Sequence, residues 1–250
     1  MNTIEFSILI PAFIAGLLVL LTHIPLGIKV LQRGVIFADL AVAQIAGLGI
    51  VIAGLFELTD QPVLVQLIAA LSALCGAALL TFIEARFNDV KEACIGLTFV
   101  LAATAGILLM SRDVHASEHL KDLLVGQILW VSSPQLIYTA ALSGLLLLAL
   151  RFLPARFQQR SFYALFALAV TASVQLVGVY LVFASLIVPA LATYRLTRHR
   201  LKFASLIGIT GYAAGLLLSA SFDLPAGAAI VWAMAAVGGV ILITMRALKN

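Results

Sequence analysis

Charge is what this sequence has least of. Asp, Glu, Lys and Arg make up 10% of its 250 residues while 63% are hydrophobic, whereas an average soluble domain carries about 25% charged residues. That excludes a water-soluble fold, which could not cover so much apolar surface. Cysteine is nearly absent too: Cys75 sits in an apolar run and Cys94 beside a charged loop. Neither is placed for a disulfide, and both are expected to serve as packing residues. The chain lacks a phosphate-cradling Gly-x-x-x-x-Gly-Lys-Ser/Thr loop, so any ATP it uses is hydrolysed by another chain. It also lacks a His-Glu-x-x-His helix and a Gly-x-Ser-x-Gly elbow, and its one deep Asp leaves paired-Asp proteolysis without a second carboxylate, so no enzyme is expected. The net charge of +4 comes from basic residues scattered in short loops, which argues against a nucleic-acid partner. The N-terminal MNTIEFSILIPAF has no basic segment before its apolar stretch and no small-residue cleavage site after it, so the first helix is expected to stay in the protein.

Long apolar runs are what is there instead, at about 7–24, 35–56, 63–83, 93–111, 134–150, 203–220 and 226–245. Each can cross a hydrocarbon core of ~30 Å at 1.5 Å rise per residue, so the lipid bilayer is the solvent for most of the chain. The stretch 161–194 is 34 residues long, too long for one ordinary span and short of the ~40 residues needed for two. The predicted fold is all-α: a polytopic transmembrane helical bundle of about eight crossings, eight or nine, in a single transmembrane domain over 1–250.

Lys and Arg favour cytoplasmic loops. With the N-terminus outside, only Arg112 and Lys121 of the 15 basic residues fall on the outer side. That count requires 161–194 to enter and return, as a helix broken near Gly178 or Pro189. Broken helices at membrane depth are tolerated where they line a cavity or are buried in protein, which makes this stretch a candidate wall of a transport path. The segment LLVGQILWVSSP (123–134) is too short to span and is expected at the outer interface, a level that suits Trp130.

Polar residues inside the spans are the functional candidates. Asp39 lies roughly 7 Å along the helix from Gly34 at 1.5 Å per residue, well away from a span's ends; the other reading is a helix-end residue snorkelling to the interface. Gln44 stands about 140° round the same helix, so the two do not naturally point at one ion; interhelical hydrogen bonding is its alternative role. In the outer segment RDVHASEHLKD, a helix would set His115 and His119 at i and i+4, and His119 and Asp122 at i and i+3. With Glu118 these N and O ligands suit zinc, and manganese or iron less decisively, unless the segment is simply a solvated loop. Gln66, Gln127, Gln175 and Asp223 are expected to act as helix–helix glue or loop caps.

Five blocks carry a family likeness. PLGIKVLQRGVIFADLAVAQIAGLG (25–49) resembles the first signature of permeases from zinc, manganese and iron ABC importers: Pro-Leu-Gly, a basic turn and an aromatic before a buried polar helix. KEACIGLTFVLAATAGILLMS (91–111) resembles the family's acidic-small-Ile-Gly helix, and HLKDLLVGQILWVSSPQL (119–136) its outer Leu-x-Gly segment. QLVGVYLVFASLIVPALATYRLTR (175–198) is similar to its Val-Gly…Leu-Ile-x-Pro-Ala stretch, and FDLPAGAAIV (222–231) to the Asp-x-Pro-Ala-Gly start of its last helix. The blocks follow the family's order over most of the chain.

The resemblance implies a permease subunit in a bacterial inner membrane. It would dimerise on a pair of ATP-binding subunits and take a divalent metal ion, zinc first and then manganese or iron, from a periplasmic metal-binding protein. The metal would be cargo, with no covalently bound cofactor. Two departures stand out. The family's signature has an Asp four residues before a His; counted without gaps from Phe37 to Gly49, Gln44 fills the His slot, Leu40 the Asp slot, and Asp39 comes one position early. Where the family has a longer acidic segment that docks in the ATPase, this chain has RFLPARFQQRS (151–161), which offers Arg151, Arg156 and Arg160 for coupling. Two other readings follow: a non-transporting accessory subunit that kept the fold, or a permease for a different cargo.

Overall fold

The computed structural model describes residues 3–56, 58, 61–111, 126–154, 157 and 161–247. Among them the chain is all-helical: α1 (Thr3–Arg33), α2 (Ala38–Leu55), α3 (Pro62–Arg86), α4 (Lys91–Leu109), α5 (Ser133–Phe152), α6 (Phe162–Val177), α7 (Val179–Ala192), α8 (Arg200–Phe222) and α9 (Ala226–Ala247). Short 3₁₀ turns cover Asn88–Val90 and Ile128–Trp130. Seven of these helices are long and apolar enough to cross a membrane, while α6 and α7 are shorter apolar helices. A helix is what lipid demands of such runs, because an unpaired backbone group has no water to bond to.

The expected break in 161–194 falls at Gly178, between α6 and α7, and Pro189 lies inside α7. Gly178 has φ +79°, a conformation open to glycine without steric penalty. Its N–H closes α6 on the Val174 carbonyl at 2.8 Å, and its carbonyl opens α7 by accepting from Val182 at 3.1 Å. At the other end of the chain, α1 does not stop at 24 as its apolar run suggested. It continues through Pro25 to Arg33 and spans Ser7–Arg33. Pro25 removes one helical hydrogen bond, but in lipid a kink with one missing bond costs less than an unwound, unpaired segment.

The helices gather into two compact units. The first comprises Met1–Arg33, Leu124–Leu147 and Ser173–Asn250. Here α1 packs on α7 and α8, and α9 on α7 and α8. Small residues permit the close approach: a Cβ at Gly27 would meet the Leu186 backbone, one at Gly208 the Leu20 side chain, and ones at Gly211 and Gly215 the backbone of α9 at Met234 and Ile230. This is the small-residue seam expected where van der Waals contact, not water exclusion, holds helices together. α7, apolar all round, is its buried centre, with Ser185 and nine further residues out of solvent.

The second unit, Gly34–Leu123 and Leu148–Ala172, is built on α2, which packs against both α3 and α4. Gly49 approaches Ser72, and Gly76 approaches Ile45. A groove of about 310 Å³ between α2 and α3 is lined by Ile45, Gly49, Ile52, Leu71, Ser72 and Cys75. Cys75 is exposed there and Cys94 half-buried, both as free thiols. Cys75 is therefore not the core packing residue the sequence suggested, because an apolar run in lipid does not reveal which face is covered. Of the apolar windows of α3, α4 and α5, 28%, 22% and 17% is buried, against 44% in α1, α2 and α8, so the first three stand mostly uncovered by the rest of the chain.

Candidate functional site

Asp39 lies in the first turn of α2, which begins at Ala38. It is thus nearer its helix end than the distance from Gly34 implied. The position favours a carboxylate through the helix macrodipole, an effect worth about 0.3–1 kcal/mol at exposed sites. Asp39 is nevertheless fully buried, and neither carboxylate oxygen has a hydrogen-bond partner among the described residues. A carboxylate stripped of water and of partners is among the costliest groups a protein can hold. The start of the helix is capped by another acid: the Phe37 N–H donates to Glu92 Oε1 at 3.0 Å, from the first turn of α4.

Gln44 is half-buried, five residues along α2. The ~140° between the two positions keeps them on different faces of the helix. His115, Glu118, His119 and Asp122 lie outside the described residues, as do Arg156 and Arg160. Arg151 is described: it stands exposed in the last turn of α5, its guanidinium 6.0 Å from the Phe152 ring centroid. Asp223 ends α8 in a left-handed conformation, φ +50°, in keeping with the expected loop cap. Among the described residues, no three of His, Cys, Asp and Glu cluster closely enough to hold a metal ion.

In the first unit the structure reveals a residue that the sequence reading passed over. His23 sits inside α1 and is fully buried. Its Nδ1 is 3.0 Å from the Val19 carbonyl and 3.0 Å from Thr22 Oγ1, and Thr22 Oγ1 itself donates to Val19 at 3.1 Å. Because a carbonyl only accepts, the contact with Val19 places the proton on Nδ1. Nε2 is then a bare lone pair, and it is buried with no partner. Metal-binding histidines take this form: one ring nitrogen tied to a backbone carbonyl, the other free to ligate. The signal available in the sequence was a His at position 23, inside the apolar run at 7–24.

A third buried polar contact joins α7 to α8, where Ser185 Oγ and Tyr212 Oη lie 2.9 Å apart and both residues are fully buried. Ser185 Oγ also donates to the Leu181 carbonyl at 2.7 Å. These hydroxyls are satisfied, which separates them from the unpartnered atoms of Asp39 and His23.

Comparison with known proteins matches residues 5–162 and 151–245 to the ABC 3 transport family. The chelated iron transport system membrane protein YfeD of Yersinia pestis is 28% identical over 163 residues, 56% of this chain and 54% of that protein. The chain thus spans about half the length of that relative. The manganese transport system membrane protein MntC of Halalkalibacterium halodurans is 24% identical over 250 residues, covering 91% of this chain and 84% of that one. Among solved structures, PsaBC from Streptococcus pneumoniae in complex with Fab superposes with a TM-score of 0.72 at 22% identity, over 92% of this chain and 89% of that one, a likeness of fold. With the family matched along nearly its whole length and seven long apolar helices to cross a bilayer, this multi-pass membrane protein belongs to the ABC 3 transport family.

Proposed function

We propose that the chain is the permease subunit of an ATP-driven importer of divalent transition-metal ions, working in a bacterial inner membrane as a homodimer. Separate ATP-binding subunits would power it, and a periplasmic metal-binding protein would supply the cargo. The observation that carries this reading is the buried, unpartnered carboxylate of Asp39 in an ABC 3 chain. A bare intramembrane acid is expensive and marks an ion pathway by default. Within the first unit, His23 is a separate candidate contact for the cargo, its Nε2 buried without a partner among the described residues.

Relatives named for iron and manganese make those two metals the leading cargoes. Zinc, first on the sequence reading, becomes the competitor to be tested.

The test is metal accumulation, by elemental analysis, in cells lacking their own importers. They would express this chain with its neighbouring subunits, either wild type or as Asp39→Asn. Manganese or iron uptake that the variant loses at equal membrane expression supports the reading. Uptake of zinc alone reverses the order of metals. No uptake of any metal by the wild type makes the chain a non-transporting accessory subunit.

A further inference from the structure

Between Asp122 and Asp223 the sequence contains no acidic residue, yet it carries Arg195, Arg198, Arg200 and Lys202 at the turn between α7 and α8. Arg195, Arg198 and Lys202 are exposed. Arg200 is tied inward: its guanidinium donates to the Ala190 carbonyl at 3.1 Å, and its Nε is buried without a partner among the described residues. That bond caps the end of α7 and holds the turn in place. His199 at its centre is left-handed, φ +59°.

No acid within this compact unit can neutralise the cluster. Outside 124–147 and 173–250 the unit holds only residues 1–33, so its acids are Glu5 and Asp223. Asp223 follows the far end of α8, whose 23 residues measure about 35 Å at 1.5 Å per residue. Glu5 begins α1, which runs antiparallel to α8, since Gly16 packs against Tyr212 and Leu20 against Gly208. Glu5 therefore lies toward the same far end as Asp223. Neither acidic side chain of the unit is thus placed to pair with the cluster.

We propose that Arg195, Arg198 and Lys202 bind the phosphate headgroups of anionic phospholipids. Two observations favour lipid over an acidic protein surface. Exposed apolar side chains interleave with the bases, Leu191, Tyr194, Leu201 and Phe203 among them, which suits the boundary of headgroup and acyl chain. Arg200 and Lys202 also stand in the first turn of α8, a helix long and apolar enough to cross a membrane, and the end of such a span is where headgroups are met. The Arg195 guanidinium rests 5.2 Å from the Tyr194 ring centroid, which preorganises one side of the cluster. Juxtamembrane bases attract anionic lipid additively.

The test is native mass spectrometry of the purified full chain, titrated with phosphatidylglycerol or phosphatidylcholine. Wild type is compared with Arg195→Gln/Arg198→Gln/Lys202→Gln and with the charge-conserving Arg195→Lys/Arg198→Lys. A control, Arg86→Gln/Lys91→Gln, removes bases that have Glu84, Asp89 and Glu92 beside them in sequence. Wild type, the Lys variant and the control should retain phosphatidylglycerol preferentially, and the triple Gln variant should lose that preference by roughly tenfold or more. The proposal is overturned if wild type shows no preference for the anionic lipid or if the triple variant keeps it. It is equally overturned if the triple variant keeps its lipids and instead loses association with the ATP-binding subunit.

Discussion

Gly126 and Gly178 meet backbone to backbone. Both have positive φ, +70° and +79°, and a Cβ on Gly126 would fall against the Val177 carbonyl and the Gly178 nitrogen. The broken point of the α6–α7 stretch is thus clamped by the segment leading into the turn Ile128–Trp130, whose Ile128 is buried while Trp130 is exposed. Gly126→Ala adds both a clash and an unfavourable φ, and should cost about 1–3 kcal/mol. Thermal unfolding in detergent should show a lower Tm for Gly126→Ala than for Gly144→Ala, whose Cβ would meet open space. Equal values would mean that the clamp is slack.

Asp39→Asn keeps the shape of the side chain and removes an acid whose oxygens have no partner among the described residues. Stability should hold or rise, because the fold gives this carboxyl no hydrogen bond or counter-charge to lose. Metal uptake should fall by roughly tenfold or more, the worth of one charged contact. A Tm several degrees lower would assign Asp39 a structural role instead.

His23→Leu fills the same space without a ligating nitrogen. Metal accumulation should drop by about tenfold or more, while the detergent-solubilised protein elutes and melts as wild type does. Thr22→Val should have a smaller effect on uptake, because Val19 still holds Nδ1. Unchanged uptake in His23→Leu would remove His23 from the pathway.

Glu92 caps α2 from α4 through the Phe37 N–H. Loss of a cap costs ~1 kcal/mol, so Glu92→Ala should lower the Tm, and Glu92→Gln, which keeps an oxygen acceptor, should lower it less. The reverse order would show that the contact carries no weight.

Ser185 and Tyr212 form a buried pair suited to a double-mutant cycle with Ser185→Ala and Tyr212→Phe. The coupling should be about 0.6 kcal/mol and no more than ~1.7, the range for hydrogen bonds between helices in membranes. A coupling of zero would make the 2.9 Å contact incidental.

Much of this was legible in the residues. The runs at 35–56, 63–83 and 203–220 became α2, α3 and α8, because lipid leaves a long apolar segment no alternative to a helix. Gly178 was legible as one of two candidate breaks, since glycine adopts that φ without strain, while the other, Pro189, lies inside α7. The apolar run at 7–24 understated α1, which continues through Pro25 to Arg33, because a helix in lipid tolerates the one hydrogen bond a proline removes.

Length and composition by themselves determined that the chain lives in a membrane, how many long helices it offers and that its longest apolar stretch must break, at Gly178 or Pro189. Each follows from a rule local to the segment: enough apolar residues to cross, and a glycine where the backbone must turn. Only the tertiary structure decided that Asp39 and His23 are fully buried with bare atoms, that Cys75 faces outward, and that Gly126 locks onto Gly178. Lipid and protein interior are both apolar, so hydrophobic periodicity does not distinguish the face that meets a neighbouring helix from the face that meets the bilayer. Which polar atoms lose their partners depends on contacts between segments far apart in sequence.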